Sequence, residues 1–300
     1  MKQFFIQLNV AIALLLTFSF HCMGAEKYTL EYNFEKGKTY KQHVVSDMNM
    51  TMNAMGQDMT MNMRSEMDIN YDVIGQNKDV YDIRMTYQNM KMNMSAPTPF
   101  SLDSNSPENS SDKGMGNAIK ALMGVSLDIQ LNKQGKVISI QGIDKLVEKI
   151  DSTNNAQFKQ MFSQLFSEKM IQQTIEQSSS YFPDKPVAIG DSWNAAINVN
   201  VNGIDIINKM TLTLKQVKDK VATIELTGVL STPEGGSVMN IQGMDAKVSM
   251  NGEQTGTIQL NMKSGWIVQT EINQKSTQDI EVMGQNMHQD VVVKATVTGE

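Results

Sequence analysis

The stretch Val44–Val73 reads VVSDMNMTMNAMGQDMTMNMRSEMDINYDV, and its alternation decides the fold class. Up to the middle, the even positions carry Val44, Ser46, Met48, Met50 and Met52, with Asp47, Asn49, Thr51 and Asn53 between them. Beyond Gly56 the odd positions take over as Met59, Met61, Met63, Ser65, Met67, Ile69, Tyr71 and Val73. Their partners are polar throughout: Thr60, Asn62, Arg64, Glu66, Asp68, Asn70 and Asp72. Successive strand side chains point to opposite faces, so strict period two with polar alternates predicts two half-buried antiparallel strands. A two-residue turn at Gly56-Gln57 pairs Met52 with Met61 and Met50 with Met63, on one face.

The same logic extends outward. Tyr28–Phe34 alternates as a first strand. After Asn77-Lys78, Tyr81, Ile83, Met85 and Tyr87 are odd but Met90, Met92 and Met94 are even, so the phase slips at Gln88-Asn89. One extra residue there predicts a β-bulge that curves the strand. The segment 96–117, with Pro97, Pro99 and Pro107 among Ser and Asn, reads as a long exposed, mobile loop. Met115, Ile119, Leu122 and Met123 share a helical face that Gly124 closes. A hairpin around Lys133–Lys136 follows, then a short helix on Ile143, Leu146, Val147 and Ile150. Phe158, Met161, Phe162 and Leu165 begin a longer helix that breaks near Ser167 and ends before Pro183. The remainder is strand-rich: 195–201, 207–217, 221–230, 244–250, 256–262, 266–272, 280–283 and 287–297. The expected architecture is α+β: a long curved antiparallel sheet, half-barrel-like, with a central helical insertion of about 115–182 packed on one face.

Composition removes several classes of function. A formal charge of −6 offers no basic surface to nucleic acid. One Cys excludes a disulfide framework and Cys-based metal centres, and three His leave little for imidazole chemistry. Residues 1–24 read as a signal peptide, with Lys2 before the uncharged run Val10–Phe18 and small residues at Gly24 and Ala25. His21 stands before Cys22 where acylation wants a small residue, so ordinary cleavage is favoured over a lipid anchor at Cys22. Cleavage after Gly24 takes the formal charge from −6 to −7 and leaves residues 25–300 as one exported domain, in the periplasm or cell envelope, with no transmembrane span.

A resemblance enters at Pro183-Asp184-Lys185-Pro186-Val187 leading to Gly190-Asp191-Ser192-Trp193. This segment resembles the central signature of an uncharacterised secreted bacterial family, as do the Tyr28, Leu30, Tyr32, Phe34 strand and the Met-rich hairpin. The resemblance spans nearly the whole mature chain and implies no catalytic residue. Physically, Pro186 sets an extended entry, Gly190-Asp191 makes a turn and Trp193 anchors the next strand. By layout the chain is also similar to the half-barrel lipoprotein carriers of the cell envelope, whose curved sheets cup an apolar cavity; no motif is shared.

The chain holds 25 Met against 10 Phe, and 12 of them lie between Met48 and Met94, so the excess is concentrated on three strands. Met and Leu stabilise a core by similar amounts, about 1.5–3 kcal/mol per side chain, so stability alone does not explain the preference. Met is flexible and polarisable and recurs where varied apolar ligands bind. The groove candidates are Met48, Met50, Met52, Met59, Met61, Met63, Met67, Met85, Met90 and Met92, and the partner expected is a lipid or a lipidated protein. The main alternative is a structural or interaction module with a solid Met-rich core. The third is Cu(I) held by thioethers; His43 and His288 fall in the polar phase of their strands, which leaves only a Met-only site near Met55 and Met59. No cofactor or catalytic set is expected, because any Ser-His-Asp triad would need one of these two strand histidines.

Overall fold

The computed structural model describes residues 26–54, 57–95, 99–152, 159, 167–201, 203–241 and 244–300. The signal segment with Cys22, the tip pair Met55-Gly56, Pro97, and the helical positions Phe158, Met161, Phe162 and Leu165 lie outside these residues.

The strands are β1 (Lys27–Tyr28), β2 (Thr39–Ala54), β3 (Gln57–Asn77), β4 (Val80–Ser95), β5 (Phe100–Asp103), β6 (Ser126–Asn132), β7 (Val137–Gln141) and β8 (Val187–Ala188). They continue with β9 (Ser192–Val201), β10 (Ile204–Lys218), β11 (Val221–Ser231), β12 (Ser237–Ile241), β13 (Met244–Asn261), β14 (Ile267–Val282) and β15 (Gln285–Gly299). Among the described residues the helices are α1 (Lys113–Leu122), α2 (Ile143–Asp151) and α3 (Glu168–Ser179). An open, curved antiparallel sheet runs in the order β7-β6-β4-β3-β2-β15-β14-β13-β11-β10-β9, with β5 beside β4 and β12 beside β13. β1 and β8 form a separate small pair.

The Met hairpin forms with a register two residues away from the expected one. Met52 faces Met59, Met50 faces Met61 and Met48 faces Met63, and Ala54↔Gln57 is the last pair. A slip of two leaves every side chain on its original face, which is why alternation alone did not fix it. At the β14–β15 hairpin, Met283 and Gly284 both have positive φ, 52° and 77°, as a type I′ turn requires. The bulge expected near Gln88-Asn89 is present, since Asp68 pairs with Asn89 and Ile69 with Tyr87, leaving Gln88 unpaired. Further register shifts leave out Ile74, Ile138, Lys215 and Val268. Bulges bend strands and increase their twist, so these positions distribute curvature along the sheet.

Several expectations are corrected. Of the expected first strand Tyr28–Phe34 only Tyr28 pairs in a sheet, together with Lys27 before it. The following Leu30, Tyr32 and Phe34 are buried in alternation, with the Tyr32 amide donating to the Lys133 carbonyl and the Asn33 amide to that of Ser264. Of the expected loop 96–117, the described residues 99–117 are not an exposed loop: β5 pairs with β4, Leu102 and Pro107 are buried, and α1 starts at Lys113. Its Ser hydroxyls serve the backbone, Ser110 accepting from the Asp103 amide and Ser104 from that of Met90. The helical segment is divided, because Leu127, Ile129 and Leu131 alternate as strand residues and place β6 opposite β4 in the main sheet. Val147 is exposed, whereas Leu146 and Ile150 are buried as expected. Ranges 244–250 and 256–262 are one strand, β13, and 266–272 and 280–283 belong to β14. Gly252 and Gly256 lie within β13, where each pairs with β14. A Cβ there would lie 2.7 Å from the Lys275 carbonyl oxygen and 2.5 Å from that of Glu271, so these glycines let two strands pass closely.

Two packed clusters fill much of the inner face. The first joins α1, α2 and α3 to β3, β4 and β6, through Ile119, Leu122, Leu146 and Ile171 against Ile83, Met85 and Leu127. Asp112 caps α1 by accepting from the Met115 amide, and Ser167 caps the start of α3 by accepting from that of Met170. Phe34 sits among Tyr32, Tyr40, Tyr81 and Trp266, with ring centroids 4.6–5.8 Å away. Each such pair adds about 0.5–1.5 kcal/mol beyond its buried area. The second cluster packs Leu30, Tyr181 and Val187 onto Leu212, Ile224, Leu226 and Ile258. Trp193 packs against this second cluster and donates its indole N–H to the Tyr181 carbonyl, while Asp191 closes its turn by accepting from the Ala188 amide.

Candidate apolar-ligand site

The groove candidates separate into two groups. Met85 and Met90 are 2% and 8% exposed and lie in the first cluster with the helices, and Met67 and Met92 pack against it. Met48, Met50, Met52, Met61 and Met63 are half-buried and Met59 is 42% exposed, and none of these six belongs to either cluster. They stand in register as three cross-strand pairs, and Met94, which the sequence reading placed on the strand without assigning it to the site, continues the Met48–Met63 row onto β4 and then to Phe100. On the other side the rows reach β15, where Val293 faces Met48 and Val291 faces Met50. The uncovered apolar surface thus spans β15, β2, β3 and β4.

Beside it lies an uncharged polar patch that sequence reading missed. Gln254 faces Gln274, Ser276 faces Gly252 and Val291, and Gln278 faces Met250 and Gln289. Gln254, Ser276 and Gln289 are buried, and the Ser276 hydroxyl oxygen has no hydrogen-bond partner. The signal was available on β14: Glu271, Lys275, Asp279 and Glu281 confine charge to one phase, while Gln274, Ser276 and Gln278 occupy the other.

The opposite face is charged and internally satisfied. Arg64 donates to both Asp47 carboxylate oxygens at 2.9 Å and to Glu66 at 2.8 Å. His43 Nδ1 lies 2.6 Å from Asp68 and His288 Nδ1 2.8 Å from Asp279, so both imidazoles are on the face away from the Met rows. The hydrogen bond from Asp279, aided by the nearby carboxylates, raises the His288 pKa above its ordinary value. Burial pushes the Tyr32, Tyr87 and Tyr181 hydroxyls up to about 12, which keeps them neutral at physiological pH. Among the described residues no group of three or more His, Cys, Asp or Glu is arranged to hold a metal, and no helix is long and apolar enough to cross a membrane. Two open troughs cross the sheet. One of about 760 Å3 runs over 194–196, 209–211, 227–229 and 253–255, and one of about 430 Å3 over 47–49, 62–64, 93–95 and 99–101. Each takes three consecutive residues from each strand, backbone included, so neither is an enclosed chamber.

Among solved structures, the chain is similar to lipovitellin, in a structure titled for its lipid–protein interactions. The TM-score is 0.47 at 10% identity, and the match covers 89% of this chain but only 25% of that one. It is also similar to an outer membrane channel from Pseudomonas putida F1, with TM-score 0.23, 6% identity and coverage of 90% and 97%. OccK5 of Pseudomonas aeruginosa gives TM-score 0.26 at 4% identity, covering 88% and 99%. No curated protein matches the chain. Residues 78–267, from the start of β4 to the start of β14, match a family model described only as a family of unknown function, and with more than half its length matched the chain belongs to that family, DUF6263.

Proposed function

We propose that the protein is a non-catalytic, exported binder of an amphiphile, a lipid or a lipidated partner, held along the uncovered Met rows. The observation that carries this reading is that Met48, Met50, Met52, Met59, Met61 and Met63 share one face in register yet belong to neither packed cluster. An acyl chain laid across them gains about 0.8 kcal/mol for each methylene it buries, and Met side chains adapt to irregular shapes. The adjoining Gln274, Ser276 and Gln278 suit an uncharged polar end, with the unpartnered Ser276 hydroxyl as a hydrogen-bonding group. The signal-like residues 1–24 support export to the periplasm or envelope.

Titration with cis-parinaric acid tests this, alongside native mass spectrometry of protein purified from its own envelope. Saturable fluorescence that falls when Met50→Glu places a charge in the rows, with co-purified lipid, is the expected result. No saturable binding and a clean apo mass would sink it in favour of a solid interaction module, for which the buried Met85, Met115 and Met210 already show Met acting as plain core.

A further inference from the structure

An apolar groove can be lined by Leu, Ile or Val as well as by Met, so lipid binding leaves the choice of sulfur unexplained. The structure brings three thioethers into a single row: Met48 on β2 faces Met63 on β3, which faces Met94 on β4. Directly opposed residues on one face have Cβ atoms about 4.5–5.5 Å apart, and each Met adds three flexible torsions, so all three sulfurs can converge above Met63. The three side chains are half-buried, which limits competing water without closing access. Phe100 stands in register beside Met94 and supplies an aromatic wall, a surface that favours both sulfur contacts and cations. Val293 faces Met48 and flanks the row on the other side, so the positions in register across β15, β2, β3, β4 and β5 are Val293, Met48, Met63, Met94 and Phe100. The neighbouring rows, Met50–Met61 and Met52–Met59, supply two sulfurs each.

We propose that the Met48–Met63–Met94 row is a binding site for a soft monovalent cation, Cu(I) or Ag(I). Neutral thioethers select soft ions and discriminate against Zn(II), Mg(II) and Ca(II), which prefer imidazole, thiolate or oxygen. Both histidines lie on the opposite face, so the site is thioether-only and its affinity is independent of pH across the histidine range. Nothing is oxidised or reduced in the binding step. The ion exchanges its solvent ligands for three sulfurs.

The test uses the full chain carrying Cys22→Ser, so that no thiol competes, titrated with silver nitrate in chloride-free buffer. One retained Ag(I) per chain is expected by native mass spectrometry. In protein labelled at the methionine methyls, the resonances of Met48, Met63 and Met94 should shift together at one equivalent. The triple variant Met48→Leu, Met63→Leu, Met94→Leu keeps the apolar volume, and its silver affinity should fall at least tenfold while its far-UV circular dichroism matches that of the parent chain. Met63→Leu alone, the middle of the row, should show the same loss and serves if the triple variant folds poorly. Unmoved methyl resonances, or silver retention unaltered by the Leu variants, would overturn the proposal. Failure of parinaric acid binding with silver binding intact would count against the amphiphile reading alone.

Discussion

Gln254 donates its side-chain amide N–H to the Asn208 side-chain Oδ1 over 2.8 Å, reaching from β13 to β10 past the intervening strand β11. Gly228 makes that reach possible, since a Cβ there would lie 2.9 Å from the Gln254 nitrogen and 2.9 Å from the Lys209 carbonyl oxygen. Both amide side chains are buried. Asn208→Leu should therefore cost about 1–3 kcal/mol in urea unfolding, because it strands a buried amide. The Asn208→Leu, Gln254→Leu double variant should recover most of that loss. Equal losses that simply add would show that the two amides are not coupled.

The Arg64 cluster should matter much less. Arg64, Asp47 and Glu66 are each about one-third to one-half exposed, so hydration and side-chain entropy offset most of the attraction. Arg64→Ala is expected to cost only a small fraction of the loss at Asn208, and less in high salt. A loss several times larger in a denaturant titration would mean that this cluster fixes the hairpin register.

At the β14–β15 hairpin, Asp279 holds His288 protonated to higher pH than a free histidine. A folded-state pKa above the unfolded one, about 6.5, makes this contribution complete below the unfolded value and progressively lost as pH rises through the folded one. An NMR titration should place His288 above 6.5, and Asp279→Asn should bring it down. The group is fully exposed, so stability should change little across this window. An unshifted His288 in the native chain would contradict the assignment.

Gly135 couples α3 to the β6–β7 turn. Its φ is +74°, and a Cβ would fall 2.0 Å from the Ser179 Cβ, whose hydroxyl donates to the Gly135 carbonyl. Gly135→Ala incurs the left-handed backbone cost of roughly 1–2 kcal/mol and must also push α3 away. A clear fall in Tm with faster amide exchange across Glu168–Ser179 is expected. Unchanged exchange there would place the coupling elsewhere.

Much of the sheet was legible because period two is a local property. The Met faces, the Gln88 bulge and the β6–β7 hairpin all follow from neighbouring residues. The Met52–Met59 register was not, since a two-residue slip changes no side chain's face. β5 and the packed turns after it were hidden because Ser104 and Ser110 look like loop residues until their hydroxyls meet the amides of Met90 and Asp103. Nor could alternation separate Met85 and Met90, covered by helices, from Met48 and Met50, which share the pattern but not the cover. Coverage is decided by segments distant in sequence. The polar rows of β14 were readable only by asking where charge is absent within a phase.

In a closed barrel, strand number and stagger fix the radius. Here β7 and β9 end the sheet without meeting, so no such constraint holds its aperture. The width of the mouth is set instead by strand twist and by the bulges at Ile74, Gln88, Ile138, Lys215 and Val268, which can adjust without breaking the ladder between them. Cargo of different lengths would therefore be met by a change of curvature rather than by a change of pocket. We predict that small-angle scattering detects this as a radius of gyration that varies with the acyl length of the bound probe.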